Sequence, residues 1–136
     1  MARIGGVFAA WAHCGPSAPG TLGRQAVGES SAGGAHYAAS KAALEQLTRS
    51  WAVELAADGI RVNALAPGPT ESQALAAAGL PDEAIEQIKR EEASRIPLGR
   101  RGDPDEVAAW ILRLADPATT WLTGQILTVD GGLELT

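Results

Sequence analysis

Apolar positions in the middle of the chain recur with the spacing of an amphipathic helix. Counted from the first, they lie at i, i+3, i+7 and i+11 and would form a single stripe: Leu44, Leu47, Trp51 and Leu55. The pattern begins near Tyr37, and Gly59 is a suitable residue to end it because glycine adopts a positive φ readily. Residues 60–65 then alternate at first as a strand does, and Pro67 ends that strand because proline has no N–H for a ladder. This stretch therefore predicts a helix followed by a strand.

Two further helices and a second strand are predicted after this strand. One helix runs roughly over residues 81–93, with acidic residues in its first turn, where the helix dipole favours negative charge. The next helix has the clearest start: Asp103 suits the N-cap, Pro104 the first turn and Glu106 a capping box. Its apolar face comprises Val107, Trp110, Ile111 and Leu114. Residues 125–129 read as a short buried strand, and the alternation of helices and strands predicts an α/β fold with parallel strands.

The first 35 residues differ in composition, because they are rich in glycine, alanine, proline and serine and show no sustained period. In the stretch 7–22 only Val7 and Phe8 have strand character, so no strand is predicted there. The predicted organisation is an atypical segment over 1–35 and an α/β unit over 36–136. Two strands are too few for a stable sheet, so we expect the chain alone to be marginally stable or to depend on association.

Composition and charge favour a protein that binds neither nucleic acid nor a membrane. A net charge of −5 is unfavourable for phosphate binding, and the adjacent Arg100 and Arg101 are interpreted as a solvated turn. No apolar run approaches the ~20 residues of a membrane span. Cys14 is the only cysteine, which suits a reducing cytoplasm. His13 and Cys14 together provide too few ligands for a metal site, so no metal is predicted.

The pair Tyr37 and Lys41 is the strongest candidate for chemistry. Residues four apart lie on one face of a helix, so both side chains can point into the same site. A free tyrosine has a pKa of about 10, and a nearby ammonium lowers it by favouring the phenolate. Such a phenol can exchange a proton with a carbonyl or an alcohol oxygen. The alternative is an ordinary pair on a helix surface, although Tyr37 is the only tyrosine in the chain.

Four blocks of the sequence closely resemble the classical short-chain dehydrogenase/reductase family, and they follow one another in the order and at the spacing typical of that family. The blocks are YAASKAAL at 37–44, ELA and GIRVNALAPG at 54–56 and 59–68, PLGRRGDPDEVA at 97–108, and LTGQILTVDGG at 122–132. The resemblance covers nearly all of the chain after Gly34 and implies the C-terminal half of that fold. The expected structure is a partial Rossmann-like, doubly wound parallel sheet that lacks the N-terminal βαβ dinucleotide-binding half.

The same resemblance implies the residues of the active site. Tyr37 would be the general acid/base, and Lys41 would bind the nicotinamide ribose and lower the pKa of Tyr37. The remaining cofactor contacts implied are those of Pro67, Gly68, Thr70 and Ser72. Among these, the Thr70 backbone N–H would meet the nicotinamide carboxamide. The stretch 71–93 matches the family's substrate-covering segment. Considered alone, the Pro67–Gly68 stretch is better explained as a strand-ending turn, and only the other blocks favour a cofactor contact.

Three features of the family are not found in the sequence. No Gly-x-x-x-Gly-x-Gly turn precedes Tyr37, and the residue that selects NAD or NADP is absent with it. The catalytic serine is not assignable either, because counting back from the tyrosine reaches Arg24. Two explanations stay open: a truncation or reading-frame disruption around 7–22, or real divergence of a shortened protein.

Two functions follow from these observations. The first is an oxidoreductase that transfers hydride between NAD or NADP and a small-molecule carbonyl or secondary alcohol, acting as a homo-oligomer. The alternative is a non-catalytic remnant of the family that only associates with relatives or has no activity.

Overall fold

The computed structural model describes residues 7–11 and 35–136. Its strands and α-helices, in chain order, are β1 (Val7–Trp11), α1 (Ala35–Glu54), β2 (Arg61–Pro67), α2 (Ala74–Ala77), α3 (Asp82–Arg95), α4 (Pro104–Ala115) and β3 (Ile126–Val129). Short 3-10 turns follow α1 and β3. None of the helices in the described ranges is long and apolar enough to cross a membrane.

The three strands form one parallel sheet in the order β1-β2-β3. Val7 is paired with Arg61 at the start of β1, and Pro67 is paired with Val129 at the end of β3. Helix α1 connects β1 to β2, and α2 to α4 connect β2 to β3. The prediction of a partial α/β fold with parallel strands joined by helical crossovers is therefore confirmed.

Strand β1 corrects the prediction that residues 7–22 contain no strand. Its sequence, VFAAW, has few β-branched residues, so local propensity is weak. All five of its residues are paired with β2, from Val7 opposite Arg61 to Trp11 opposite Leu65. The pairing of β1 with the central strand β2 is a long-range interaction. The composition and periodicity of residues 7–22 alone therefore do not indicate it. The sheet consequently has three strands in the described residues, not two.

The main core lies between α4 and the sheet. Leu65 of β2 packs with Val107 and Leu114 of α4, which are almost completely buried. Partly buried residues close around them: Ile111, Leu122, Leu127 and Val129. The predicted apolar face of α4 is thus confirmed except at Trp110, which is exposed and stacks against the Arg113 guanidinium at 5.0 Å.

Helix α1 buries small side chains. Thr48 and Ala52 are its buried residues, and Thr48 Oγ1 donates to the Leu44 carbonyl at 2.9 Å. The apolar stripe predicted for this helix is only partly covered, because Leu47 and Trp51 remain exposed. Small buried residues allow a helix to approach a sheet closely. This packing places the first turns of α1 relative to the carboxyl end of β2.

Arg61 and Asn63 hold β3 and the segment before it against β2. The Arg61 guanidinium donates to the carbonyls of Leu114, Leu122 and Asp116 at 2.9 to 3.2 Å. The buried Asn63 donates to the Leu122 carbonyl at 3.1 Å and accepts from the Gln125 N–H at 3.1 Å. Both amide atoms of the buried Asn63 are thus paired, and these bonds hold the segment before β3 in place.

Candidate active site

Helix α1 brings Tyr37 and Lys41 together. The Lys41 ammonium nitrogen lies 5.1 Å from the centroid of the Tyr37 ring, and both side chains are half-buried. Their spacing of four residues accounts for this contact, since it corresponds to about one turn of helix. Ser40 Oγ donates to the Tyr37 carbonyl at 2.7 Å. A cation at this range from an aromatic ring is an electrostatically favourable pair.

The carboxyl end of β2 carries Pro67 and Gly68, both of which are buried. The Gly68 N–H donates to the Val129 carbonyl at 3.0 Å and extends the pairing of β2 with β3. A Cβ at Gly68 would lie 2.6 Å from Asp130 Cβ and 2.7 Å from Asp130 Cα. The position of Asp130 therefore requires glycine at residue 68, independently of any ligand near the loop.

The loop after Gly68 is held by a short bridge to the segment before α4. The Gly102 N–H donates to the Pro69 carbonyl at 3.0 Å, and the Glu71 N–H donates to the Gly102 carbonyl at 2.9 Å. Thr70 lies between these bonds and is itself the bridged partner of Gly102. Thr70 Oγ1 donates to the Gly68 carbonyl at 2.9 Å.

These bonds do not involve the Thr70 N–H. Among the described residues, no backbone acceptor is found for it. A trans peptide holds its C=O and N–H on opposite sides of the bond. Because the Pro69 carbonyl points at Gly102, the Thr70 N–H points away from that residue. It is thus a half-buried donor of defined direction at the carboxyl end of β2, where ligands of parallel α/β sheets bind.

A cluster of charged side chains lies behind this loop. Arg101 donates through Nη2 to the Thr70 carbonyl at 2.5 Å, and its side chain is only 8% exposed. Its other nitrogens face carboxylates, with Nη1 3.0 Å from Glu92 Oε2 and Nε 3.3 Å from Glu71 Oε1. Lys89 Nζ lies 2.8 Å from the other oxygen of Glu71. Burial raises the pKa of Glu92, and the positive charge of Arg101 opposes that shift.

The interpretation of Arg100 and Arg101 as a solvated turn is correct for Arg100 only. Arg100 is exposed and forms two hydrogen bonds with the Glu106 carboxylate, at 2.6 and 2.8 Å. Arg101 is the buried member of the pair. The two residues are identical and adjacent, so nothing in the local sequence distinguishes them. Only the position of α3 and of the loop after β2 explains the difference.

The predicted site residues thus fall into two groups. Tyr37 and Lys41 are in contact on α1, whereas Gly68 and Thr70 are joined at the end of β2. In the described ranges, neither Gly68 nor Thr70 forms a hydrogen bond or ion pair with Lys41. Ser72 is exposed in the same loop.

The remaining sequence predictions about ligands are only partly covered by the structure. No group of three or more possible metal ligands occurs among the residues that the structure describes. His13 and Cys14 lie outside those residues, as does Arg24. The serine and threonine residues that precede Tyr37 also lie outside the described residues.

Known structures define the class of this fold. A short-chain dehydrogenase/reductase of unknown function from Caenorhabditis elegans, solved with cofactor, matches with a TM-score of 0.73 and 40% identity, over 80% of this chain and 42% of that one. A small-chain dehydrogenase in complex with NADPH matches with a TM-score of 0.66 and 32% identity, over 78% and 46% of the two chains. The fold is accordingly part of a Rossmann-type dehydrogenase domain.

Sequence comparison identifies the family. A family model described as enoyl-(acyl carrier protein) reductase matches residues 21–134. The 3-oxoacyl-(acyl-carrier-protein) reductase FabG of Thermotoga maritima is 46% identical over 103 residues, which are 76% of this chain and 39% of that protein. The chain belongs to the short-chain dehydrogenase/reductase family, as the four sequence blocks predict. It spans less than half the length of these relatives.

Proposed function

We propose that this chain carries the acid–base part of an oxidoreductase site, in which hydride passes between a nicotinamide cofactor and a carbonyl or secondary alcohol. The observation that carries the proposal is the Tyr37–Lys41 pair, with the ammonium 5.1 Å from the ring centroid. A positive charge near a phenol favours the phenolate and lowers the pKa of a tyrosine. The Tyr37 hydroxyl can then donate its proton to a carbonyl oxygen, or accept one from an alcohol.

The loop after β2 fits a nicotinamide. The Thr70 N–H points away from Gly102 and can donate to a carboxamide oxygen, and the buried Pro67 and Gly68 precede it in the chain. Ser72 supplies a hydroxyl in the same loop. Lys41 has three N–H donors, some of which can hold ribose hydroxyls while its charge acts on Tyr37. When bound, the cofactor supplies or accepts the hydride. The choice between NAD and NADP stays open.

The substrate proposed is a small molecule with a carbonyl or secondary alcohol. The relative from Thermotoga maritima is named as a reductase of a 3-oxoacyl group, which is a carbonyl substrate. We also propose the cytoplasm as location and a homo-oligomer as working form. The division of the chain into a segment over 1–35 and an α/β unit over 36–136 stays a proposal. Strand β1 lies before this boundary but is paired with β2 in the same sheet.

A non-catalytic role is the second candidate. The 136 residues contain no Gly-x-x-x-Gly-x-Gly turn, with which the family would hold the pyrophosphate. On this hypothesis the chain associates with intact relatives, or has no activity.

The test is carbonyl-dependent oxidation of NADH and NADPH by the purified protein, alone and mixed with an intact relative. Tyr37→Phe removes the proton donor and should lower turnover by about 100-fold or more. Trp121→Phe is the matched aromatic control, because Trp121 is 99% exposed and outside the site. Equal turnover of Tyr37→Phe and the parent protein would refute the acid–base assignment. No turnover by the protein alone and no added turnover in the mixture, with co-purification of the relative, would favour the second candidate.

A further inference from the structure

The segment before α4 holds the two peptide planes that flank Thr70. The plane between Pro69 and Thr70 is fixed by the Gly102 N–H, which binds the Pro69 carbonyl at 3.0 Å. The plane between Thr70 and Glu71 is fixed on both sides. Its carbonyl accepts from Arg101 Nη2 at 2.5 Å, and its N–H donates to the Gly102 carbonyl at 2.9 Å. With both planes hydrogen-bonded, the backbone on either side of Thr70 is restrained, and so is the direction of the Thr70 N–H.

Arg101 is held in place by charge. Its Nε and Nη1 atoms lie 3.3 and 3.0 Å from the Glu71 and Glu92 carboxylates, without the alignment of hydrogen bonds. Among the residues that the structure describes, the contact to Thr70 is the aligned hydrogen bond of this guanidinium. A buried guanidinium is stabilised when carboxylates surround it, and it is costly to bury without them. The charges therefore keep Arg101 in the one orientation that reaches the Thr70 carbonyl.

The cluster also connects the loop to the segment that follows it. Glu92 belongs to α3, whereas Glu71 belongs to the loop after β2. Lys89 of α3 adds a second link, because its ammonium lies 2.8 Å from Glu71. A displacement of α3 would move two charged partners of the loop at once. Arg101 is thus the residue through which α3 and the Thr70 peptide act on each other.

We propose that Arg101 is a positioning residue, which orients the Thr70 N–H toward a nicotinamide and couples that orientation to helix α3. This inference rests on the proposed function, because it concerns the same cofactor site. Arg101 touches no substrate and no reacting atom. Its effect is to hold a donor in the direction that the cofactor requires, so its loss should weaken cofactor binding more than it slows proton transfer.

The test compares Arg101→Met with Arg100→Met in the 136-residue chain. Arg100 is a matched control, because it is the adjacent arginine, is exposed, and has the Glu106 carboxylate and the Arg101 carbonyl as its hydrogen-bond acceptors among the described residues. The first readout needs no cofactor: hydrogen exchange of the Glu71 amide, which donates to Gly102. Arg101→Met should accelerate that exchange by about tenfold or more, whereas Arg100→Met should leave it unchanged. Arg101→Lys keeps the charge without the planar fork and should give an intermediate result.

The second readout separates positioning from a general loss of structure. Arg101→Met should raise the KM or Kd for NADH or NADPH by about tenfold with a much smaller change in kcat. Arg101→Lys should restore part of that loss, and it is also the variant to use if Arg101→Met does not fold. Unchanged Glu71 exchange in a folded variant would overturn the proposal, as would faster exchange with unchanged cofactor affinity. Absence of any cofactor binding by the parent chain would instead count against the proposed function, and the exchange result would still decide whether Arg101 holds the loop.

Discussion

Gly68 at the end of β2 lies directly against Asp130 at the end of β3. An added Cβ at position 68 would be 2.6 Å from Asp130 Cβ and 2.7 Å from its Cα, which is closer than real side chains approach. Asp130 is not free to move away, since its carboxylate accepts the N–H groups of Gly132 and Glu134 at 2.8 and 2.7 Å. This contact brings the ends of two parallel strands together beside the candidate cofactor loop.

Gly68→Ala should destabilise the protein by about 1–3 kcal/mol, the usual effect of forcing extra volume into a packed site. The measurement is the midpoint of urea unfolding. Gly102→Ala is the matched control, because a Cβ there meets its nearest atom, Thr70 Oγ1, at an ordinary 3.6 Å. Equal midpoints for the two variants would contradict the account of Gly68.

Arg61→Met should destabilise the protein, because three carbonyls lose a charged donor and two of them belong to the end of α4 and the residue after it. Hydrogen bonds to charged groups contribute about 1.5–3 kcal/mol, and a loss in that range is expected in urea unfolding. Arg90→Met serves as control, since Arg90 is exposed on α3. A loss no larger than that of the control would show that water replaces Arg61 at these carbonyls.

Glu106→Gln should remove part of the acid sensitivity of the protein. The hydrogen bonds from Arg100 and from the Asp103 N–H lower the pKa of Glu106 to about 2, from 4.5. A carboxyl with a lowered folded pKa contributes stability that is present above the unfolded pKa and is lost as the pH falls to the folded value. Unfolding midpoints of the parent protein should therefore fall between pH 4.5 and about 2 more steeply than those of Glu106→Gln.

The control for that comparison is Glu86→Gln, because Glu86 is an exposed carboxylate of α3 that lies outside its first turn. Its pH profile should match the parent protein. A Glu106→Gln profile parallel to the parent over the whole range would show that the capping box of α4 contributes no acid-sensitive stability.

Glu92→Gln should be at least as stable as the parent protein at pH 7. Desolvation raises the pKa of Glu92 despite the nearby Arg101, so burial disfavours its ionised form. A carboxyl with a raised folded pKa contributes stability below its unfolded pKa and loses it as the pH rises through the folded value. The neutral amide avoids that loss, and the Glu71 carboxylate, 3.3 Å from Arg101 Nε, still balances the charge of Arg101. A lower urea midpoint for Glu92→Gln at pH 7 would mean that the attraction of Arg101 outweighs burial.

The parts of the site that the sequence predicts are those fixed by local rules. The start of α4 follows from the capping box of Asp103 and Glu106, which the structure confirms with bonds at 2.8 and 2.9 Å. The contact of Tyr37 with Lys41 follows from helical spacing. In both cases the interacting groups lie within one turn of helix, so residue type and separation are sufficient.

Other features depend on segments that are far apart in the chain. Strand β1 has weak propensity of its own and is defined by its pairing with β2. Arg101 is buried while Arg100 is exposed, because only Arg101 faces the Thr70 carbonyl and the Glu92 carboxylate. Their sequence positions give no sign of this difference.

By itself, the sequence determined the family, the α/β class, the helix that carries Tyr37 and Lys41 and the loop that follows β2. The tertiary structure alone decided that Gly68 is needed against Asp130, and that Arg101 orients the peptides around Thr70. The physical reason is that spacing and capping act over a few residues, whereas burial and strand pairing depend on which distant segments meet.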